Sequence, residues 1–580
     1  MLPKTAWKVA PSRNVEAQKR LASQLSISEV AAICLVNRGI EDEVSAEKYL
    51  YPRLRDLKKP DQMVDLARGA ARVSDAIIAR EKIGVFGDYD VDGLTSTSLM
   101  YLFLRETASA VEVRTADRFS GGYGLDCEMV DFFHQSDCKV LIVLDCGTSD
   151  HEAIGHARDI GLDVIVVDHH RIESAFPPAF AFVNPHRDDC GFDDTTLAAV
   201  GLTFYFCAAI RSKLVEVNFI SPDEIDMRKF LDLVALGTIA DVVPLGHNNR
   251  ILARHGLTVM SDNRRPGIEA LVNIARIHSR RINSSHVSYQ LAPRINAAGR
   301  LASAMNAFEL LVSTVDSDAR HYSELLEQYT HERREIEARV SKSARAIASR
   351  QEKNNPRVLV VAGEGWHKGV LGIVAARLCE EYTRPVYVVG FENGLGTGSA
   401  RGQGQINLYN SLEHCASNLI RFGGHRDAAG FSIANEKIEA FQQQLEQYAS
   451  DNWVEQDTGV IVCDATLYPS QLSAALLDEI SRMGPFGFDN TEPLFNIIGL
   501  DVLSARVVGN HHLKLLLKTP TGTVSAFGPN MGEYANKMPR IVNVAASLSA
   551  DEWRGEDAIE LKLAAPPVEC SDTDLFNKSD

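Results

Sequence analysis

Short runs rich in apolar, β-branched residues recur through the first third of the chain: IGVF at 83–86, VEVRT at 111–115, VLIVL at 140–144 and VIVV at 164–167. Runs of this length and type suit strands buried in a parallel sheet. The segments between them, such as 95–109 and 150–160, are long enough for helices. The alternation predicts βαβ units, a sheet covered by helices, and chemistry just beyond the carboxyl ends of the strands. Over 316–352 the pattern changes. Leu325, Leu326, Tyr329, Ile336, Val340, Ala344 and Ile347 form an apolar stripe in a highly charged background, which predicts a long amphipathic connecting helix. After NNP at 354–356 a second α/β unit opens with VLVVAG (358–363), and a glycine-rich region runs through 430. From about 455, strands such as HLKLLLK (512–518) and VSAF (524–527) alternate with glycine and proline turns, the pattern of a small β-barrel.

The predicted class is therefore α/β: a parallel-sheet domain, a long helix, a second α/β domain and a carboxyl-terminal barrel. The expected boundaries are an amino-terminal segment 1–46, a first domain 47–315, the helix 316–352, a second domain 353–450, the barrel 451–568, and a polar, disordered tail 569–580.

Composition narrows the setting. The chain has 580 residues, 45% hydrophobic and 24% charged, enough for several packed domains. No segment approaches the roughly 20 apolar residues of a membrane span, and the amino terminus lacks the apolar core of a signal peptide, so a cytoplasmic protein is expected. The ten cysteines contain no CxxC pair and are expected to be reduced and mostly buried. The formal net charge of −17 argues against non-specific coating of nucleic acid, which needs a basic surface, while leaving room for a local basic groove and for bound cations.

The chemistry begins at GDYDVDG, where Asp88, Asp90 and Asp92 occupy alternate positions after the first strand. If the strand geometry continues, the three side chains share one face, with neighbours about 7 Å apart, and repel one another without a cation. Taken alone, a calcium-type loop or a solvated turn explains the stretch equally well. The later strands change that balance. Strand 140–144 ends in Asp145, strand 164–167 ends in Asp168-His169-His170, and the apolar run LVALGTIADVVPL carries Asp241. A lone aspartate there would be read as a helix cap. Four such arrivals on one rim point instead to a cluster of Asp90, Asp92, Asp145, His169 and Asp241. Carboxylates with a minority of imidazole suit Mn²⁺ or Mg²⁺ better than structural zinc. Enough are present for two ions about 3.5–4 Å apart, an arrangement suited to in-line phosphoryl displacement and so to phosphodiester hydrolysis.

GDYDVDG, LDCG, VDHH and GTIADVVPL resemble the successive motifs of the DHH phosphoesterase superfamily. RINAAGRL (294–301), WHKGVLGIVAARL (366–378), GSARG (398–402) and FGGHRDAAGFS (422–432) narrow the resemblance to the RecJ family of single-strand-specific exonucleases. It runs from about residue 80 to about 565, including GPFGFDNTEPLF (484–495) and HLKL (512–515). The resemblance implies that Asp90, Asp92, Asp145, His169 and Asp241 are metal ligands, with Asp145 bridging two ions and Asp88 a ligand or a nearby base. It implies that His170 contacts the scissile phosphate and that Asp168 orients the histidine pair. The second α/β unit resembles the DHHA1 domain, which faces the catalytic rim across a cleft. There Ser399 and Arg401, with Arg300 and Arg118, would hold a terminal 5′-phosphate, consistent with the planar fork of arginine. Gly423, Gly424 and His425 would belong to the same wall. The barrel is similar to an OB-fold, where His512, Lys514 and Lys518 are candidates for strand contact.

The implied activity is 5′-to-3′ degradation of single-stranded DNA to mononucleotides in repair and recombination, by a monomer working with single-strand-binding protein and a helicase. Two positions depart from the family pattern: Phe86, where many DHH proteins carry histidine, and Gly121, where an acidic residue is usual. The alternatives are a small-nucleotide phosphodiesterase, which would not need the barrel, and a silent DNA-binding scaffold, which would have lost the carboxylates.

Overall fold

The computed structural model describes residues 7–117, 124–172, 175–262, 264–455, 460–509, 511–551 and 554–570. The expected contacts of Arg118 and Gly121 and the tail after residue 570 lie outside them. Two compact units are present: residues 1–292, 308–319 and 459–580 form the first, and residues 293–307 and 320–458 the second.

In the first unit, five parallel strands form the central sheet in the order Val111–Thr115, Lys82–Gly87, Cys138–Leu144, Asp163–Val167 and Ala181–Val183. The second strand in sequence goes to one side of the first and the third to the other. This reversal opens a crevice beyond the strand ends between Lys82–Gly87 and Cys138–Leu144. Each of three strands is followed by an aspartate whose N–H reaches the last residue of the neighbouring strand. Asp88 N donates to Leu144 O at 3.3 Å, Asp145 N to Val167 O at 3.1 Å and Asp168 N to Val183 O at 3.0 Å. The ladder thereby places three carboxylates on one rim.

Phe86 points the other way, into a core with Phe133, Leu141 and Val143. That position therefore contributes no ring to the rim.

Two expectations about the rim are corrected. The strand does not continue through the aspartates. It ends at Gly87, and helix Val91–Glu106 begins with Asp90 as its cap, Oδ1 accepting from Gly93 N at 3.1 Å, so Asp92 lies in the first helical turn. A side chain at position 93 would put its Cβ 2.5 Å from Asp88 O, which is why only glycine fits this tight start. Likewise Asp241 follows no strand. It ends helix Leu231–Ala240, whose residues 231–239 are all buried.

The carboxyl-terminal barrel closes five strands: Phe495–Val508, His512–Thr519, Gly522–Gly528, Gly555–Leu563 and Ile541–Asp551, the last pairing back onto the first. Alternation in HLKLLLK sends Leu513, Leu515 and Leu517 inside, all buried. Each such burial is worth about 1.5–3 kcal/mol. Helices Val15–Leu25, Glu29–Asn37 and Glu43–Leu50 share this core: Leu21, Leu35 and Leu50 cluster with Leu476, Phe495 and Leu513.

The long helix spans Asp316–Gln351. In the second unit a five-stranded sheet runs in the order Leu419–Gly424, Ala428–Ala434, Leu395–Arg401, Val386–Glu392 and Leu359–Glu364, with only the last pair parallel. Helix Leu371–Tyr382 packs its Val374 and Leu378 on the parallel part.

Candidate metal centre and phosphate pocket

His169 stands at the middle of the rim. Its Nε2 lies 3.3 Å from Asp145 Oδ1, 3.7 Å from Asp241 Oδ2 and 4.0 Å from Asp92 Oδ2. Three sets of side chains each bring their ligand atoms within 4.8 Å of one another: Asp92, His169 and Asp241; Asp88, Asp90 and Asp145; and Asp145, His169 and His170. Asp145 and His169 each belong to two sets. All five predicted ligands and Asp88 are thus brought together, although two of them arrive from helices.

Different parts of the fold hold each group. Asp145 has φ of 61°, a left-handed conformation costly for a residue other than glycine and one that recurs where function requires it. The two oxygens of Asp92 accept from Ala199 N at 2.7 Å and Val200 N at 2.9 Å, the first amides of helix Ala199–Glu216. This fixes the carboxylate between two helix amino termini. Asp168 serves the histidines. Its Oδ1 accepts from His169 N, His170 N and His170 Nδ1, the last at 2.7 Å, while Oδ2 accepts from Thr148 N and Thr148 Oγ1. Asn184 Nδ2 donates to Thr148 Oγ1 at 3.2 Å and to His170 O at 2.9 Å.

Crowding like charges in a buried site changes their proton affinities. Burial, then the Asp90 carboxylate, pushes Asp92 up to about 7. Burial, then Asp92 and Asp90, pushes Asp241 up to about 9. Burial and four neighbouring carboxylates raise Asp145 well above the usual carboxylate range. Burial, then His170, lowers His169 to about 4, keeping it neutral. Burial would also lower His170, but the charge and hydrogen bond of Asp168 outweigh it and raise the ring to about 9. Asp168 itself, despite burial, is held below its ordinary range by His170, His169 and Thr148. A set of oxygen donors that ionise reluctantly, beside a neutral imidazole, fits hard divalent cations that replace the missing positive charge.

In the second unit, Arg300, Ser399 and Arg401 converge on the turn that starts helix Leu371–Tyr382. Arg300 Nη1 donates to Gly369 O at 3.1 Å. Arg401 Nη1 donates to Ser399 Oγ at 3.3 Å, and a Cβ on Gly372 would lie 3.0 Å from Arg401 Nη2 and 3.2 Å from Ser399 Oγ. Guanidinium groups and a hydroxyl beside a helix amino terminus are chemistry suited to an anion. Gly424 and His425 lie in the adjacent hairpin, where Ala428 pairs with Arg401 and His425 N donates to Ala428 O. Of the barrel candidates, Lys514 Nζ is paired with Glu560, His512 Nδ1 accepts from Asn530 N, and Lys518 is exposed.

Sequence reasoning passed over several residues. Thr148 and Asn184 carried no motif signal of their own. Gly237 makes room on helix Leu231–Ala240 for Thr95 and Asp92, since a Cβ there would come 2.2 Å from Thr95 Oγ1 and 2.9 Å from Asp92 Oδ1. Gly369 and Gly372 sat inside a recognised motif without an assigned role.

Residues 82–238 match the DHH family, N-terminal domain; residues 355–451 match the DHHA1 domain; and residues 463–565 match the RecJ OB domain. The single-stranded-DNA-specific exonuclease RecJ of Haemophilus influenzae is 34% identical over 533 residues, covering 89% of this chain and 92% of the relative. The crystal structure of Thermus thermophilus RecJ in complex with Mn²⁺ superposes with a TM-score of 0.80 at 27% identity, covering 97% of this chain and 80% of that one. Its complex with Mg²⁺ gives 0.74 at 26% identity, covering 97% and 79%.

Proposed function

The chain belongs to the RecJ family of single-stranded-DNA-specific exonucleases, and from that premise we propose that it hydrolyses single-stranded DNA from the 5′ end with two Mn²⁺ or Mg²⁺ ions, releasing 5′-mononucleotides in repair and recombination. The observation that carries this reading is the overlap of the three ligand sets on Asp145 and His169. Asp90, Asp92, Asp145, His169 and Asp241 would hold the cations, with Asp145 shared and Asp88 beside Asp90. Bound divalent cations supply charge stabilisation to the phosphate and acidify water.

The chain's own residues do the rest. Asp168 holds His170 in one orientation and keeps its ring protonated through Nδ1, leaving Nε2–H as a donor for a phosphate oxygen. The amides of Ala199 and Val200 hold the Asp92 carboxylate in place before any cation arrives. Arg300, Ser399 and Arg401, with Gly424 and His425 beside them, take the terminal 5′-phosphate, and this would set the direction of digestion. The barrel supplies further strand contacts.

An enzyme restricted to single strands needs its substrate unwound and kept open, so a helicase and a single-strand-binding protein are its expected partners. It would act as a monomer in the cytoplasm; among the described residues no helix is long and apolar enough to cross a membrane.

The test is digestion of end-labelled single- and double-stranded DNA with Mn²⁺. Label should leave single strands from the 5′ end as mononucleotides, and Asp145→Ala should slow this by roughly 10³-fold, about 4 kcal/mol of barrier. Digestion only from 3′ ends, or equal activity in Asp145→Ala, would overturn the reading.

A further inference from the structure

The motif GPFGFDN at 484–490 lies in the carboxyl-terminal part of the chain, yet in the first unit it packs against the segment that follows Asp241. Asp241 ends one helix, and helix His247–Asp262 begins six residues later. The link between them is awkward. Val242, a β-branched residue, sits at φ 58° and is 64% exposed, so its own side chain does little to hold that conformation.

Asn249 Nδ2 donates to Pro244 O at 3.0 Å from the following helix, and the other hold on the link comes from the motif. Leu245 N donates to Phe488 O at 2.8 Å, and Gly487 lies so close that a Cβ there would come 2.8 Å from Leu245 Cδ1. The motif in turn is locked twice. Within itself, Asn490 Nδ2 donates to Met483 O at 3.1 Å and Pro485 O at 2.8 Å, and Gly487 and Asn490 exchange backbone bonds. From outside, the buried Arg250 donates to Met483 O at 2.9 Å and Gly484 O at 3.0 Å, with its guanidinium 3.8 Å from the centre of the Tyr49 ring. Arg254 Nη1 adds a bond to Arg482 O at 2.6 Å. Both arginines stand on helix His247–Asp262, so the turn holds Leu245 directly and is itself held by the helix that follows Leu245.

We infer that the 484–490 turn is a positioning element for Asp241: by holding Leu245 and the strained link it sets the angle at which the Asp241 carboxylate meets His169. The inference rests on the reading of Asp241 as a metal ligand. It makes the carboxyl-terminal region part of the metal centre's support rather than only a strand-binding appendage. Removing a group that orients a ligand typically costs about 10–100-fold in metal affinity.

The experiment uses the full chain, without DNA for the binding measurements and with single-stranded DNA for the activity readout. Mn²⁺ titration would be carried out on wild type, Asp241→Ala, Gly487→Ala and Asn490→Ala, alongside hydrogen exchange at the Leu245 amide and melting of the metal-free protein. Gly487→Ala adds one methyl against Leu245 and is the milder change. Asn490→Ala unlocks the turn from within. The expected result is weakening of one Mn²⁺ site by about ten-fold in both turn variants, with faster exchange at Leu245. Activity lost at limiting Mn²⁺ should return in excess Mn²⁺, with KM for DNA unchanged. A purely structural role would lower the melting temperature without altering Mn²⁺ affinity or giving rescue, and that result overturns the proposal, as does unchanged Mn²⁺ affinity in Gly487→Ala when that variant is folded. If Asp241→Ala itself binds Mn²⁺ as wild type does, the ligand assignment fails first, and the two failures are distinguished.

Discussion

In the proposed metal centre, protons and cations would compete for the two oxygens of Asp241. Burial and the Asp92 and Asp90 carboxylates raise its proton affinity up to about 9, whereas an unfolded aspartate titrates at about 3.9. A carboxyl raised in this way contributes its full stability below the unfolded value and loses it as pH climbs toward about 9. The metal-free protein should therefore lose stability across that window, and Mn²⁺ should restore it by replacing the protons. The rise in melting temperature on adding Mn²⁺ is expected to be larger at about pH 8 than at about pH 6, with proton release seen as a buffer-dependent heat in calorimetry. Asp241→Asn should release fewer protons. A pH-independent melting shift with no proton release would contradict the electrostatic account.

Among the elements, those whose pattern is local were legible. Strands Lys82–Gly87, Cys138–Leu144 and Asp163–Val167 follow directly from short β-branched runs, and Asp145 and His169 were placed by them. Helix Leu231–Ala240 and the start of helix Val91–Glu106, which carry proposed ligands, were not legible, for different reasons. Helix Leu231–Ala240 is buried on every side, so no polar face marks its period and it reads like a strand. In GDYDVDG, alternate aspartates imitate a continuing strand, although a capping Asp90 with Gly93 three residues later already signalled a helix start. The proposed anion pocket was half legible: its arginines were visible, but the bare backbone of Gly372 that lets helix Leu371–Tyr382 approach Arg401 and Ser399 was not. Gly372→Val should crowd Arg401 and Ser399 and remove one charge-assisted contact, about 1.5–3 kcal/mol. The preference for a 5′-phosphorylated over a 5′-hydroxyl strand should then fall by roughly ten- to hundred-fold, with Mn²⁺ affinity unchanged. Retained preference would move the phosphate site elsewhere.

On the scale of the molecule, segments far apart in the chain share one core. Contacts between residues 15–50 and the barrel span more than four hundred positions and leave no periodic trace, so an amino-terminal segment set apart from the barrel was the natural expectation from sequence. In the structure Leu35, fully buried, lies in one core with Leu476, Phe495 and Leu513, and the helices that cover the barrel are the first the chain makes. Stability there should behave as shared. Leu35→Ala is expected to cost about 2–5 kcal/mol through lost transfer energy and the cavity left behind, and the cost should be felt on both sides of the core. Hydrogen exchange should speed up in strand His512–Thr519 as well as in helix Glu29–Asn37, while the amides at Asp145 and Asp168 on the catalytic rim keep their protection. Faster exchange confined to residues 15–50 would show instead that the amino-terminal helices unfold on their own and that the barrel stands without them.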